Sequence, residues 1–311
     1  MKTNNRIFSF CFGIMKLLRG FPYGRYLITV FPVFAILIHN GLISSPWSFS
    51  LIFPFIFIIA AGFTYNAICD ADKDPIEKNV IASGNFRKNY ALILLVSLII
   101  ISLGLFLIIY TSKVSLFFFI LYIILWLTYS GLYVRFKESV LAPIIASIVL
   151  WVGAPFVILT EYQYFNFDTT VLILGLFFVY IGHEIKHTTV EYDLDLSYNC
   201  KTFAVRFGKK YATLMEYIAI IIGYTFLSIG AYRLLDNFIF TIIFALIFLI
   251  SMISTISYGY KVNYDLSKDL IFITLPYSMT ILFIIAYSCI QLQLPLLLTM
   301  FVMWIFLINK N

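Results

Sequence analysis

The fold class predicted by this sequence is all-α: a polytopic membrane bundle of nine or ten transmembrane helices with two acidic cytoplasmic loops. Three observations predict it. First, 62% of the 311 residues are hydrophobic and only 12% are charged, about half the charge of an ordinary soluble domain, and mean hydropathy is +0.98. Second, apolar runs of about twenty residues recur, enough to cross a hydrocarbon core about 30 Å thick. They are continuous rather than alternating, which excludes a β-barrel. Third, Lys and Arg fall almost entirely on one side of those runs.

The opening "MKTNNRIFSFCFGIMKLLRG" is basic, and its apolar part is broken by Lys16 and Arg19. No small-x-small cleavage pattern follows, so it reads as an interfacial helix entering the first span rather than a removable signal. Spans are expected near 24–43, 50–68, 91–110, 115–133, 139–159, 170–187, 211–232, 237–258 and 269–290, with a short tenth run at 293–309. With a cytoplasmic N-terminus, only Lys113 and Arg233 of the 21 Lys and Arg residues lie outside. That asymmetry orients the bundle and accounts for the +6 net charge without a nucleic-acid partner. Cys11, Cys69, Cys200 and Cys289 form no close pair, so neither a disulfide framework nor a zinc site is expected. The chain reads as a single domain over 1–311. Its two long internal loops, 66–90 and 187–210, follow spans 2 and 6 and hint at a duplicated four-helix arrangement. Long loops in a compact bundle are usually functional.

Both loops carry the same device. Asn66, Asp70 and Asp74 in "YNAICDADKD" are spaced four apart and stack on one helix face. Pro75 ends that face, which is expected to be the last two turns of span 2. His187, Glu191 and Asp195 in "HTTVEYDLD" repeat the spacing, with no Gly or Pro between Glu184 and Asp195. Asp72 and Asp193 point away and read as solvated. Carboxylates at a helix C-terminus oppose the macrodipole, and partial burial raises the cost. Hard divalent cations with oxygen ligands offset it, and Mg2+ in particular keeps waters and is completed by phosphates. Lys78, Arg87, Lys201 and Arg206 lie beside the acids and suit the remaining phosphate oxygens. The expected ligand is a diphosphate bridged by Mg2+ between Asp70, Asp74, Glu191 and Asp195, with Asn66 as a further oxygen ligand.

These residues resemble the UbiA-type superfamily of intramembrane prenyltransferases. Asn66, Asp70 and Asp74 match its N-D-x-x-D-x-x-x-D motif; Ala67 departs from it, and "KNVIASG" replaces its later Arg-Pro while keeping Ser83 and Gly84. In the second loop Glu191 and Asp195 stand at acidic positions, and Thr188 replaces the first Asp. Thr202, Val205 and Gly208 match a following Thr-x-x-Val-x-x-Gly segment. "YSGLYVRFK" resembles the family's Tyr-Ser followed by basic residues, supplying Tyr129, Ser130, Arg135 and Lys137. "MKLLRGF" is similar to its entry segment, with Arg19 as the arginine. The resemblance implies Mg2+-assisted ionisation of a prenyl diphosphate, followed by attack of an unidentified hydrophobic or aromatic acceptor within the lipid bilayer. It implies that Asp70, Asp74, Glu191 and Asp195 are catalytic. It also implies that Asn66, Lys78, Arg87, Arg135, Lys137, Lys201, Arg206, Arg19 and Tyr129 bind the diphosphate.

Ionisable residues at membrane depth are functional candidates. Glu184, one turn before His187, is open to two roles: an acceptor-side base with His187, or simply its hydrogen-bond partner. A terpene cyclase on the same scaffold would use the same acids. A secondary transporter is disfavoured because the acids lie at helix ends rather than mid-span.

Overall fold

The computed structural model describes residues 29–43, 46–74, 79–131 and 133–235, with isolated positions at 13–14, 27, 76 and between 238 and 253. Among them every regular element is helical. Among the described residues five helices are long and apolar enough to cross a membrane: Phe49–Cys69, Lys88–Ile109, Ala142–Glu161, Phe167–Val190 and Lys209–Leu234. Val30–His39 and Lys113–Tyr129 are shorter apolar helices. A helix therefore lies at each of the first seven expected spans. The expected spans at 269–290 and 293–309 lie outside the described residues, as does most of 237–258.

Helix α1 (Val30–His39) is buried over its first eight residues and ends in a Schellman motif. Leu42 N–H bonds the Leu37 carbonyl and Gly41 N–H that of Ile38, with Gly41 at φ 66°, where glycine carries no Cβ penalty. Helix α2 (Phe53–Cys69) tolerates Pro54 because its missing N–H falls in the first turn. Helix α3 (Lys88–Ile109) buries only Ala91, Leu95, Leu98, Ser102 and Phe106, one stripe three to four residues apart. The Ser102 hydroxyl donates to the Pro54 carbonyl of α2 at 2.7 Å. On the opposite side Leu92, Ile93, Val96, Ile100, Leu107 and Ile108 are apolar and exposed, as expected of a helix that contacts lipid.

Helix α4 (Lys113–Tyr129) stops four residues earlier than the run suggested, because Ser130 leaves helical geometry ahead of Gly131. Its first turn is closed by a carboxylate from another helix. Glu161 accepts from Thr111 N–H at 2.8 Å, Ser112 N–H at 3.1 Å and the Ser115 hydroxyl at 2.5 Å. An anion there satisfies open N–H groups and complements the dipole. Glu161→Ala is expected to cost about 1.5–3 kcal/mol, read as a lower unfolding temperature in detergent.

Helices α5 (Ala142–Ala146) and α6 (Gly153–Glu161) are joined by a π-helical stretch, Ser147–Val152. Side chains from neighbouring helices bond its carbonyls: Tyr122 OH donates to Val149 O at 2.7 Å and Thr29 Oγ1 to Trp151 O at 2.6 Å. Such bulges widen the turn and re-aim side chains. Here Trp151 lies flat on Tyr180, ring centroids 4.4 Å apart.

Helix α7 (Phe167–Val190) begins at a capping box between Asn166 and Thr169. It packs along α10 (Lys209–Leu235) at backbone contact distance. A Cβ on Gly223 would lie 2.6 Å from Val179 N, and one on Gly182 would lie 2.9 Å from Glu216 O. Small residues at such crossings let membrane helices approach closely. Arg233 pairs with Asp168 at one end of this helix pair. Towards the other end Lys186 Nζ lies 3.7 Å from Glu216 Oε1, with side chains only 8% and 5% exposed. Lys186 is thus buried between helices. Two short helices, α8 (Tyr192–Ser197) and α9 (Phe203–Phe207), connect α7 to α10.

Candidate active site

The first acidic face does not run through two full helical turns. Helix α2 ends at Cys69 and Asp70 is its C-cap. The Asp70 carbonyl then takes N–H bonds from both Lys73 and Asp74, at 2.9 and 2.8 Å, which tightens the chain into a turn. Pro75 follows, and the residue before a proline is disfavoured in helical conformation. The four-residue spacing nevertheless survives in the hydrogen bonds: Asp70 N–H to Asn66 O at 2.9 Å, then Asp74 N–H to Asp70 O.

The second face is broken in the same way. Helix α7 ends at Val190, Glu191 is the break, and α8 restarts at Tyr192. Glu191 N–H still reaches His187 O at 3.1 Å, and Asp195 N–H reaches Glu191 O at 2.8 Å.

The loop after α4 folds onto the first motif. Ser130 Oγ donates to Asn66 Oδ1 at 2.7 Å, and Lys137 Nζ donates to the same oxygen at 2.9 Å. Asp70, 5% exposed, receives Arg135 NH2 on Oδ1 at 2.5 Å and Lys137 on Oδ2. Burial lowers the Lys137 ammonium below its ordinary value despite the attraction of Asp70. Asp74 Oδ2 accepts from Asn79 Nδ2 at 3.0 Å. Asn79 is buried and also donates to the Ala67 carbonyl while accepting from Ile81 N–H. This polar hub stands within the segment that replaces the family's Arg-Pro, and sequence reasoning missed it.

On the second motif Asp195 Oδ2 accepts from the Thr202 hydroxyl at 2.8 Å. Burial pushes the Asp195 carboxyl up, a rise the Thr202 bond only partly offsets. His187 Nε2 lies 3.5 Å from Glu191 Oε2. Glu184 is buried, with Trp151 Nε1 3.5 Å from its Oε1. Thr188, standing where the family has an acid, donates its hydroxyl back to Ile185 O at 2.8 Å. The two motif loops meet the same segment, since Lys201 N–H donates to the Glu138 carbonyl at 2.8 Å.

Of the expected diphosphate ligands, Arg135 and Lys137 are held at the acidic face, and Tyr129 closes α4 half-buried beside it. Arg87, Lys201 and Arg206 are exposed, and among the described residues none of the three forms an ion pair. Arg19 and Lys78 lie outside the described residues. Asp72 is exposed, and Asp193 pairs with Lys209 at 2.9 Å, in keeping with solvated roles.

Among the described residues no three His, Cys, Asp or Glu side chains close into a ready-made metal cage. Asn66, Asp70, Asp74, Glu191 and Asp195 offer only oxygen donors, spread over two loops. That donor chemistry fits a hard divalent cation whose coordination is completed by water and phosphate rather than by protein alone.

The described fold and this end of the bundle define a helical integral membrane protein whose helix-end carboxylates meet cations from a neighbouring loop. The chain belongs to the UbiA prenyltransferase family, whose model matches residues 26–275. A UbiA homolog from Archaeoglobus fulgidus bound to GPP and Mg2+ superposes with a TM-score of 0.67 at 19% identity, over 89% of this chain and 98% of that one. The same homolog bound to DMAPP and Mg2+ gives 0.66 at 19% identity, over 90% and 99%. A digeranylgeranylglyceryl phosphate synthase structure gives 0.62 at 18% identity, over 88% and 97%. Among curated proteins no match is found.

Proposed function

We infer that this chain is a Mg2+-dependent prenyltransferase, moving an isoprenyl group from a prenyl diphosphate to a hydrophobic or aromatic acceptor within the membrane. One observation carries the inference. The Asn66–Asp70 face is clamped by Arg135 and Lys137 from a loop whose next residue, Glu138, is bonded by the second acidic loop. Acids for a cation and cations for a diphosphate therefore converge where family membership and the solved relatives bound to prenyl diphosphates and Mg2+ lead one to expect them.

Asn66, Asp70, Asp74, Glu191 and Asp195 are the residues that would hold Mg2+. When bound, it supplies Lewis-acid polarisation of the diphosphate oxygens. Arg135 and Lys137 orient the diphosphate and stabilise negative charge as the C1–O bond breaks. Ser130 fixes the Asn66 amide oxygen, and Asn79 and Thr202 fix Asp74 and Asp195 by donating to them. Arg19, Lys78, Arg87, Lys201, Arg206 and Tyr129 are assigned to the outer diphosphate contacts. Glu184 and His187 are assigned to the acceptor side. Both acidic loops are cytoplasmic, and the single domain spans 1–311.

The test incubates purified protein in lipid nanodiscs with geranyl diphosphate, Mg2+ and a lipid extract, and follows pyrophosphate release and prenylated products by mass spectrometry. Chelation with EDTA is expected to abolish release, and added Mg2+ to restore it. Cyclic hydrocarbon formed without any acceptor would replace transfer by cyclisation.

A further inference from the structure

Glu138 belongs to neither acidic motif, yet it touches both loops. Its Oε1 lies 2.9 Å from Lys73 Nζ, in the turn after Asp70, and 2.9 Å from Arg135 NH2. Arg135 thus shares NH2 between Glu138 and Asp70, which it meets at 2.5 Å. The Glu138 carbonyl accepts the Lys201 N–H of the second loop at 2.8 Å. Three cations, Lys73, Arg135 and Lys137, therefore surround two carboxylates, Asp70 and Glu138.

The two carboxylates differ in kind. Asp70 is buried, whereas the Glu138 and Lys73 side chains are 27% and 46% exposed. A partly exposed ion pair is worth little and opens readily to solvent. A diphosphate brings more charge and more acceptor oxygens than one carboxylate, and guanidinium binds phosphate in a fork. Glu138 sits on the two cations that such an anion would take from the solvent side.

We propose that Lys73 and Arg135 form a diphosphate-binding pair for which Glu138 is the resident, displaceable counter-anion. The proposal rests on the diphosphate assignment made above. Glu138 keeps the cations assembled between turnovers and competes with diphosphate oxygens for them, which limits retention of released pyrophosphate. It makes and breaks no covalent bond; it is a positioning residue. A merely structural clasp would act with the opposite sign, since loosening it would disorder the cations and weaken anion binding.

The test is calorimetric titration of the full-length protein in nanodiscs with inorganic pyrophosphate and Mg2+, alongside product inhibition. Glu138→Gln keeps the side-chain size and the backbone bond to Lys201. It is expected to bind pyrophosphate about three- to tenfold more tightly, and Lys73→Gln about as much more weakly. In kinetics, Glu138→Gln is expected to lower KM for the prenyl diphosphate and the inhibition constant for pyrophosphate without raising kcat. Equal or weaker pyrophosphate binding by folded Glu138→Gln, with wild type binding normally, overturns the proposal and leaves the diphosphate site standing. If Glu138→Gln does not fold, unchanged affinity in Lys73→Gln overturns it. A wild type that binds no pyrophosphate with Mg2+ overturns both.

Discussion

Asp70→Asn is expected to lower prenyl-diphosphate turnover by at least about 10²-fold, the scale of removing one preorganised electrostatic group. The carboxylate is buried against Arg135 and Lys137. Losing its charge therefore removes a proposed Mg2+ ligand and also frees two cations from their anion. Asn is the informative replacement because it keeps the shape; Ala would add a cavity to the charge defect. A stability loss of about 1–3 kcal/mol accompanies the charge change. Asp195→Asn is expected to match it in activity but not in stability, because the bond described for Asp195 comes from the neutral Thr202 hydroxyl. Activity assayed at saturating Mg2+, beside thermal unfolding of each variant, separates the two effects. An Asp195→Asn protein with near wild-type turnover would remove the second loop from the site.

Gly223→Leu is expected to be the most disruptive single change in the described bundle. Even a Cβ there would stand 2.6 Å from the Val179 nitrogen and 2.9 Å from the Gly175 carbonyl oxygen. Backbone atoms cannot rotate away as a side chain can, so α7 and α10 must separate. Overpacking of this kind costs about 1–3 kcal/mol and sometimes more, against a total stability of only about 5–15 kcal/mol. Because α7 carries Glu184, His187 and the break at Glu191, the displacement also reaches the second acidic loop. Gly104→Ala is the control: nothing lies within 4 Å of its Cβ, and removing a helical glycine should stabilise by about 0.5–1 kcal/mol. Detergent-solubilised yield and unfolding temperature of the two variants report the difference.

Those two positions mark what was legible in the sequence and what was not. The first seven helices were readable because a membrane helix must be apolar over most of its length. The Asn66, Asp70, Asp74 and His187, Glu191, Asp195 spacings were readable because backbone bonds at i, i+4 persist even where the helix itself stops. Helix ends were harder. Asp70 and Glu191 are caps rather than helical residues, and no Gly or Pro at those positions announces it. Glu138 was missed because its partner is set by how loops fold on one another, Lys73 and Glu138 being 65 residues apart; Asn79 was missed because the irregular turn that brings it back onto Asp74 and the Ala67 carbonyl has no periodic spacing. The α7–α10 contact did leave a trace, since Gly175 and Gly182 are seven residues apart, as are Gly223 and Gly230. That pairing of small residues is a signal of close helix approach.

The most direct measurement is calorimetric binding of a non-ionisable geranyl thiolodiphosphate to the protein in nanodiscs, with and without Mg2+, for wild type, Asp70→Asn and Asp195→Asn. A single site shared by two loops predicts binding by wild type only when Mg2+ is present, and strong weakening by either substitution alone. Binding that is indifferent to Mg2+, or that survives one of the two substitutions at wild-type affinity, would contradict it.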